Sequence, residues 1–137
     1  MKLMNLLLVP LLAVFTVFGA PQAQEDEEHA VWMKTIQATT GSLRKNIEGK
    51  VADNIAKDAA KIEEVFKKCE EFWAKRKTED AIKWSQQAQA SAKEIADAAK
   101  GGDMEKASTS MRGLMGSCSA CHGAHRERLP EGGYKIK

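Results

Sequence analysis

From about Glu27 to His125 the chain repeats one pattern four times: apolar residues at steps of three and four, set among charged and amide side chains. That spacing is the signature of a helix with one buried face. The first stretch runs from about Glu27 to Glu48, with Met33, Ile36, Thr40, Leu43 and Ile47 on one side. Acids at Glu25, Asp26, Glu27 and Glu28 crowd its start, where the helix dipole favours negative charge, and Gly49 ends it. The second begins between Val51 and Asp58 and runs to about Trp73, with Gly49 to Ala56 partly loop; its stripe is Ile55, Ala59, Ile62, Phe66, Cys69 and Trp73. The third opens at Thr78, an N-cap residue, and aligns Ala81, Trp84, Ala88, Ala92, Ile95 and Ala99 before Gly101-Gly102 stop it. The fourth opens at a second N-cap, Asp103, and aligns Met104, Ala107, Met111, Leu114, Cys118, Cys121 and His125. The tail from Leu129 to Gly133 reads as extended chain or turn.

Helices of roughly 20 residues are about 30 Å long. Equal lengths joined by short connections predict an all-α fold, an antiparallel up-down-up-down four-helix bundle. The inward faces are rich in alanine, which allows close approach or leaves room for a large group.

The segment before the bundle has a different character. Lys2 is followed by an apolar run from Leu6 to Ala20, with small residues at Gly19, Ala20 and Ala23. This is the pattern of a secretory signal peptide. The run is about 15 residues, short of the roughly 20 a spanning helix needs, and Pro10 interrupts it. Residues 1–23 are therefore assigned as signal peptide, with cleavage in the window 19–24, and residues 24–137 as one domain. The alternative is an uncleaved membrane anchor. Export predicts a periplasmic protein with no stable membrane insertion after processing.

Composition narrows the function classes. About 113 residues remain after the leader, enough for one core. Lysine and arginine number 21 against 19 acids; without Lys2 the count is 20 against 19. Such a balance gives no basic field for nucleic acid, and the scattered lysines read as solvated helix faces.

The chemistry concentrates in Cys118-Ser119-Ala120-Cys121-His122. C-x-x-C-H is the attachment pattern for c-type haem: the thiols form thioethers with the haem vinyl groups, and the adjacent imidazole becomes an axial ligand of the iron. Three other chemistries use similar residues. A thioredoxin-like dithiol belongs in a β-α-β setting, and nothing upstream reads as a strand. A zinc site would take Cys118, Cys121, His122 and His125, but structural zinc draws its second ligand pair from a distant segment. A disulfide between Cys118 and Cys121 would close a tiny ring and constrain little. Cys69 reads as a core thiol, with a disulfide across a dimer as the alternative. Trp32, Trp73 and Trp84 read as core and bundle-end packing.

A C-terminal C-x-x-C-H on the last of four helices resembles the class II c-type cytochromes, the cytochrome c-prime family and its low-spin relatives. Gly102-Asp103-Met104-Glu105-Lys106 resembles the start of the family's last helix. Cys118 to His122 followed by Arg126 resembles its C-x-x-C-H-x-x-aromatic-R ending, with His125 in the aromatic position. Met33-Lys34 through Gly41 resembles the haem-facing part of its first helix. The resemblance implies one covalent haem c, attached through Cys118 and Cys121, with His122 as proximal ligand and Arg126 near a propionate. A first-helix arginine that approaches a propionate in the family is His29 here.

The resemblance also frames the opposite face of the iron. High-spin members block it with an apolar first-helix residue and bind small gases; low-spin members ligate it with a methionine, and Met33 occupies that position. Met104, Met111, Met115 and His125 share a helix with His122 and cannot reach the other side of the same iron. His29 lies one turn before Met33 on the same face. An open or blocked site and a His29 ligand stay as alternatives to Met33. Met/His ligation raises the reduction potential and suits a one-electron carrier rather than an enzyme. The expectation is an exported monohaem carrier whose partners are redox proteins, with a homodimer as one oligomeric state open to it. The alternatives are a five-coordinate protein binding NO or CO and, more distantly, a zinc-stabilised helical module.

Overall fold

The computed structural model describes residues 20–137, so the leader assigned to residues 1–23 lies outside the described residues except for its last four positions. Four helices follow in order: α1 (Ala20–Glu48), α2 (Ala52–Lys75), α3 (Glu79–Lys100) and α4 (Met104–His125). Two short strands, β1 (Arg126–Arg128) and β2 (Tyr134–Ile136), close the chain as an antiparallel hairpin. The fold is the expected all-α four-helix bundle.

The start of α1 differs from the sequence expectation, while the start of α2 falls inside its expected window. Helix α1 begins at Ala20 rather than near Glu27, because Pro21 is tolerated in a first turn and the following alanine, glutamine and glutamate residues favour helix. The acids Glu25 to Glu28 therefore lie inside the helix, beyond its first turn. Helix α2 begins at Ala52, so the loop ahead of it is only Gly49–Val51.

All three interhelical turns share one geometry. Each has three residues, the middle one with positive φ: Lys50 (55°), Lys77 (55°) and Gly102 (77°). The amide of the third residue then donates to a carbonyl five positions back: Val51 to Asn46, Thr78 to Trp73 and Asp103 to Ala98. This is the Schellman closure, which satisfies carbonyls a helix end leaves open. Turns this short force each helix to run antiparallel to the one before it.

The expected stripes face inward, buried along most of their length and half-buried at Met33, Trp84, Met104, Cys118, Cys121 and His125. Leu43, Ile55, Ile62, Ile95 and Leu114 are fully buried, and so are Ala59, Ala81, Ala88, Ala92 and Ala107. Small side chains bring α3 close to both α2 and α4, whereas α1 leans on α2 and scarcely meets α4. A cleft of about 160 Å³ lies between α1 and α4, lined by Arg44, Ile47, Glu48, Ser108 and Met111. The loosest seam of the bundle is thus the one between its first and last helices.

The two expected N-caps behave differently. Asp103 accepts a hydrogen bond from the Lys106 amide (2.9 Å). Thr78 occupies the cap position, but its hydroxyl donates to the Arg76 carbonyl instead (3.4 Å). Asp103→Ala should therefore cost about 1 kcal/mol of unfolding free energy, and Thr78→Ala well under half of that. Urea denaturation of both variants checks the contrast; equal losses would contradict it.

Candidate haem site

Antiparallel topology gathers four helix segments at one end of the bundle: the last turns of α4, the first half of α1, the end of α2 and the start of α3. The last two turns of α4 carry Cys118, Cys121 and His122, all half-buried. Cys118 and Cys121 pack against the hydrophobic core, and neither is in a disulfide. A three-residue spacing on a helix puts the two thiols on one face.

Burial sets the protonation of this segment. It pushes the Cys121 thiol up to about 11, with the Asp80 carboxylate and Cys118 adding to the effect. Burial also raises Cys118. The His122 imidazole is held below its ordinary value by burial first and by the Arg126 guanidinium second. The thiols are protonated and the imidazole is neutral, the form with a lone pair free to ligate a metal. A redox dithiol needs the reverse shift, towards thiolate. The fold removes that reading as well, since among the described residues the strands form only a terminal hairpin, and the motif ends a helix.

The zinc alternative also lacks its geometry. Among the described residues no three His, Cys, Asp or Glu side chains are gathered to hold a metal ion. His125 is engaged elsewhere: its Nε2 lies 3.0 Å from both carboxylate oxygens of Asp80, and its ring packs on Trp73 at 5.1 Å and Trp84 at 6.1 Å. The donor set that remains, two thiols on one helical face with an imidazole beside them, fits covalent haem attachment.

On α1, Met33 is half-buried and packs against the core. His29, one turn earlier, is 9% exposed. It stacks on Phe72 (4.5 Å, 26°) and meets Trp73 and Trp32 edge-on at 5.6 and 6.1 Å. Burial holds its pKa down to about 4; Arg76 and His122 lower it further, and Asp26 opposes them. His29 is a neutral ring in an aromatic box. It does not supply the positive charge that an arginine would.

The other singled-out residues fall into place. Arg126 is exposed, with its guanidinium 3.9 Å over the Tyr134 ring. Met111 is buried, while Met104 and Met115 are half-buried, all on the helix of His122. Cys69 is 1% exposed, and burial pushes its thiol up to about 12. A thiol so enclosed cannot bridge two folded copies, so the dimer-disulfide alternative is withdrawn. Trp73 is buried and Trp32 and Trp84 are half-buried, all at this end of the bundle.

The sequence reading missed two features. Asp80 and His125 are 45 residues apart, and no local pattern signals their contact. Tyr134 lies in β2 opposite Arg128. Gly132-Gly133 ahead of alternating Tyr134-Lys135-Ile136 is a hairpin signal that could have been read.

In a comparison with protein families, the family described as Cytochrome C' matches residues 26–126. No curated protein and no solved structure matches the chain. The matched span ends at Arg126, so residues 127–137 of the hairpin lie beyond it.

The depressed His29 pKa has a stability consequence. Between its folded value of about 4 and the ordinary 6.5, the unfolded chain binds more protons at this site than the folded one. Stability from this residue is complete above pH 6.5 and is lost as pH falls towards 4. The loss is at most about 3 kcal/mol. Denaturation measured from pH 7 to pH 4 should show a shallower decline for His29→Phe than for the unaltered protein; parallel curves would contradict this.

Proposed function

The chain belongs to the cytochrome c′ family and is a monohaem c-type cytochrome with covalent haem c; from this premise we propose an exported one-electron carrier with His122 and Met33 as its axial ligands. Members of this family are typically periplasmic, and among the described residues no helix is long and apolar enough to cross a membrane.

In this reading Cys118 and Cys121 anchor the group and His122 supplies the proximal nitrogen. Haem c, when bound, supplies a one-electron iron couple. The chain's own residues supply the rest. Helix α4 fixes the anchor points on a segment whose end is tied to α3 through Asp80 and His125. Helix α1 presents Met33 from its inner face. Trp73, Phe72 and Trp32 exclude water around His29. Arg126 offers a guanidinium to one propionate. An iron with both axial positions filled has no place for a substrate, so the reading includes no catalysis. Its partners are redox proteins rather than nucleic acid.

One observation carries the proposal. The half-buried Cys118-x-x-Cys121-His122 sits at the end of α4, at the same end of the bundle as the first half of α1, the helix that carries Met33. The gas-binding alternative fits the family equally well, and Met33 is the side chain that separates the two. His29 is a weaker ligand candidate, because its ring is committed to the stack on Phe72.

The purified ferric holoprotein should give a six-coordinate, low-spin spectrum. Met33→Ala should convert it to high spin and let the ferrous form bind carbon monoxide. A high-spin unaltered protein, or a variant with an unchanged spectrum, would contradict Met33 ligation.

A further inference from the structure

Haem c brings two propionate carboxylates, and a carboxylate taken partly out of water needs a charged or hydrogen-bonding partner. On α1 the inner residue nearest this need, His29, is neutral. A guanidinium delivered from another helix nevertheless packs on the same Phe72 ring as His29. Arg76 caps the carboxyl end of α2. Its side chain is only 17% exposed, and its guanidinium lies 3.9 Å over the Phe72 ring, the same ring on which His29 stacks. One terminal nitrogen donates to Asp26 on α1.

That one bond leaves most of the group uncommitted. A guanidinium carries five N–H donors, and among the described residues no other acceptor takes one from Arg76. The neighbouring cation, Lys75, is exposed and paired with Glu25 at 3.1 Å. Arg126 is exposed and stacked on Tyr134. Arg76 is the guanidinium held out of water at the haem end, with planar donors to spare for a second carboxylate.

We propose that Arg76 binds a haem propionate, its guanidinium shared between that carboxylate and Asp26 and braced on Phe72. The cation for one of the two propionates thus comes from the end of α2, Arg126 is left for the other, and position 29 serves packing. The inference rests on haem c being carried at Cys118 and Cys121.

The test uses the purified holoprotein and its variants Arg76→Gln, Arg76→Lys and Asp26→Asn. A cation near the haem favours the ferrous state, so Arg76→Gln should lower the midpoint potential, shifting the ferric–ferrous equilibrium on the order of threefold towards ferric. Arg76→Lys keeps the charge and should stay close to the unaltered protein. Asp26→Asn removes the competing carboxylate and should raise the potential. Simple loosening of the bundle would move both neutralised variants the same way, so opposite signs separate charge from packing. The propionate-bending band in resonance Raman should also shift in Arg76→Gln. Shifts of the same sign, an unmoved potential in Arg76→Gln, or an unmoved propionate band would overturn the proposal. Should Arg76→Gln fail to fold, the propionate-bending band of Asp26→Asn decides: a shift, as the freed guanidinium turns wholly to the propionate, supports the proposal, and an unmoved band overturns it. Failure of haem attachment itself would appear separately, as a colourless protein, before any potential is measured.

Discussion

One helix can present an imidazole to only one side of an iron atom. Whatever closes or guards the other side must come from a different helix, brought to the same height by the fold. Here three short turns do this. Each reverses the chain within three residues, so the end of α4 and the first half of α1 share one end of the bundle although about 90 residues separate them. The helix ends supply polar groups there, Asp26, Arg76, Asp80 and His125, while the inward stripes supply Trp32, Phe72 and Trp73.

The packing is uneven in a way that suits this role. Alanines let α3 close on both α2 and α4, and α1 is left in loose contact with α4. The cost of the arrangement falls on polar groups held at the haem end, and each has a partner or a neutral form. Asp80 takes His125, Asp26 takes Arg76, and His29 stays uncharged inside its aromatic box.

Much of this was legible from residues alone. Ile55, Ile62 and Trp73 on α2, and Ala88, Ala92 and Ile95 on α3, announced their buried faces by spacing, because a helix with one dry side has no other way to pack. The haem motif was legible because its three reactive side chains are adjacent in sequence. What sequence could not supply were contacts between distant segments. Arg76 with Asp26 spans 50 residues, and neither has a neighbour that marks it as anything but a surface charge. Thr78 illustrates a finer limit. It occupies the cap position as expected, yet a competing acceptor, the Arg76 carbonyl, takes its hydroxyl. At position 29 the substitution of an imidazole for arginine was visible, but its meaning came only with burial.

Everything in this account requires that the thiols of α4 be bonded to a porphyrin. The most direct measurement is mass spectrometry of the proteolytic peptide spanning Cys118 to His122, from protein made in a host competent for cytochrome maturation. The account predicts a single haem on that peptide, with both cysteines bonded and Cys69 recovered as a free thiol on its own peptide. Recovery of Cys118 and Cys121 as unmodified thiols would contradict it.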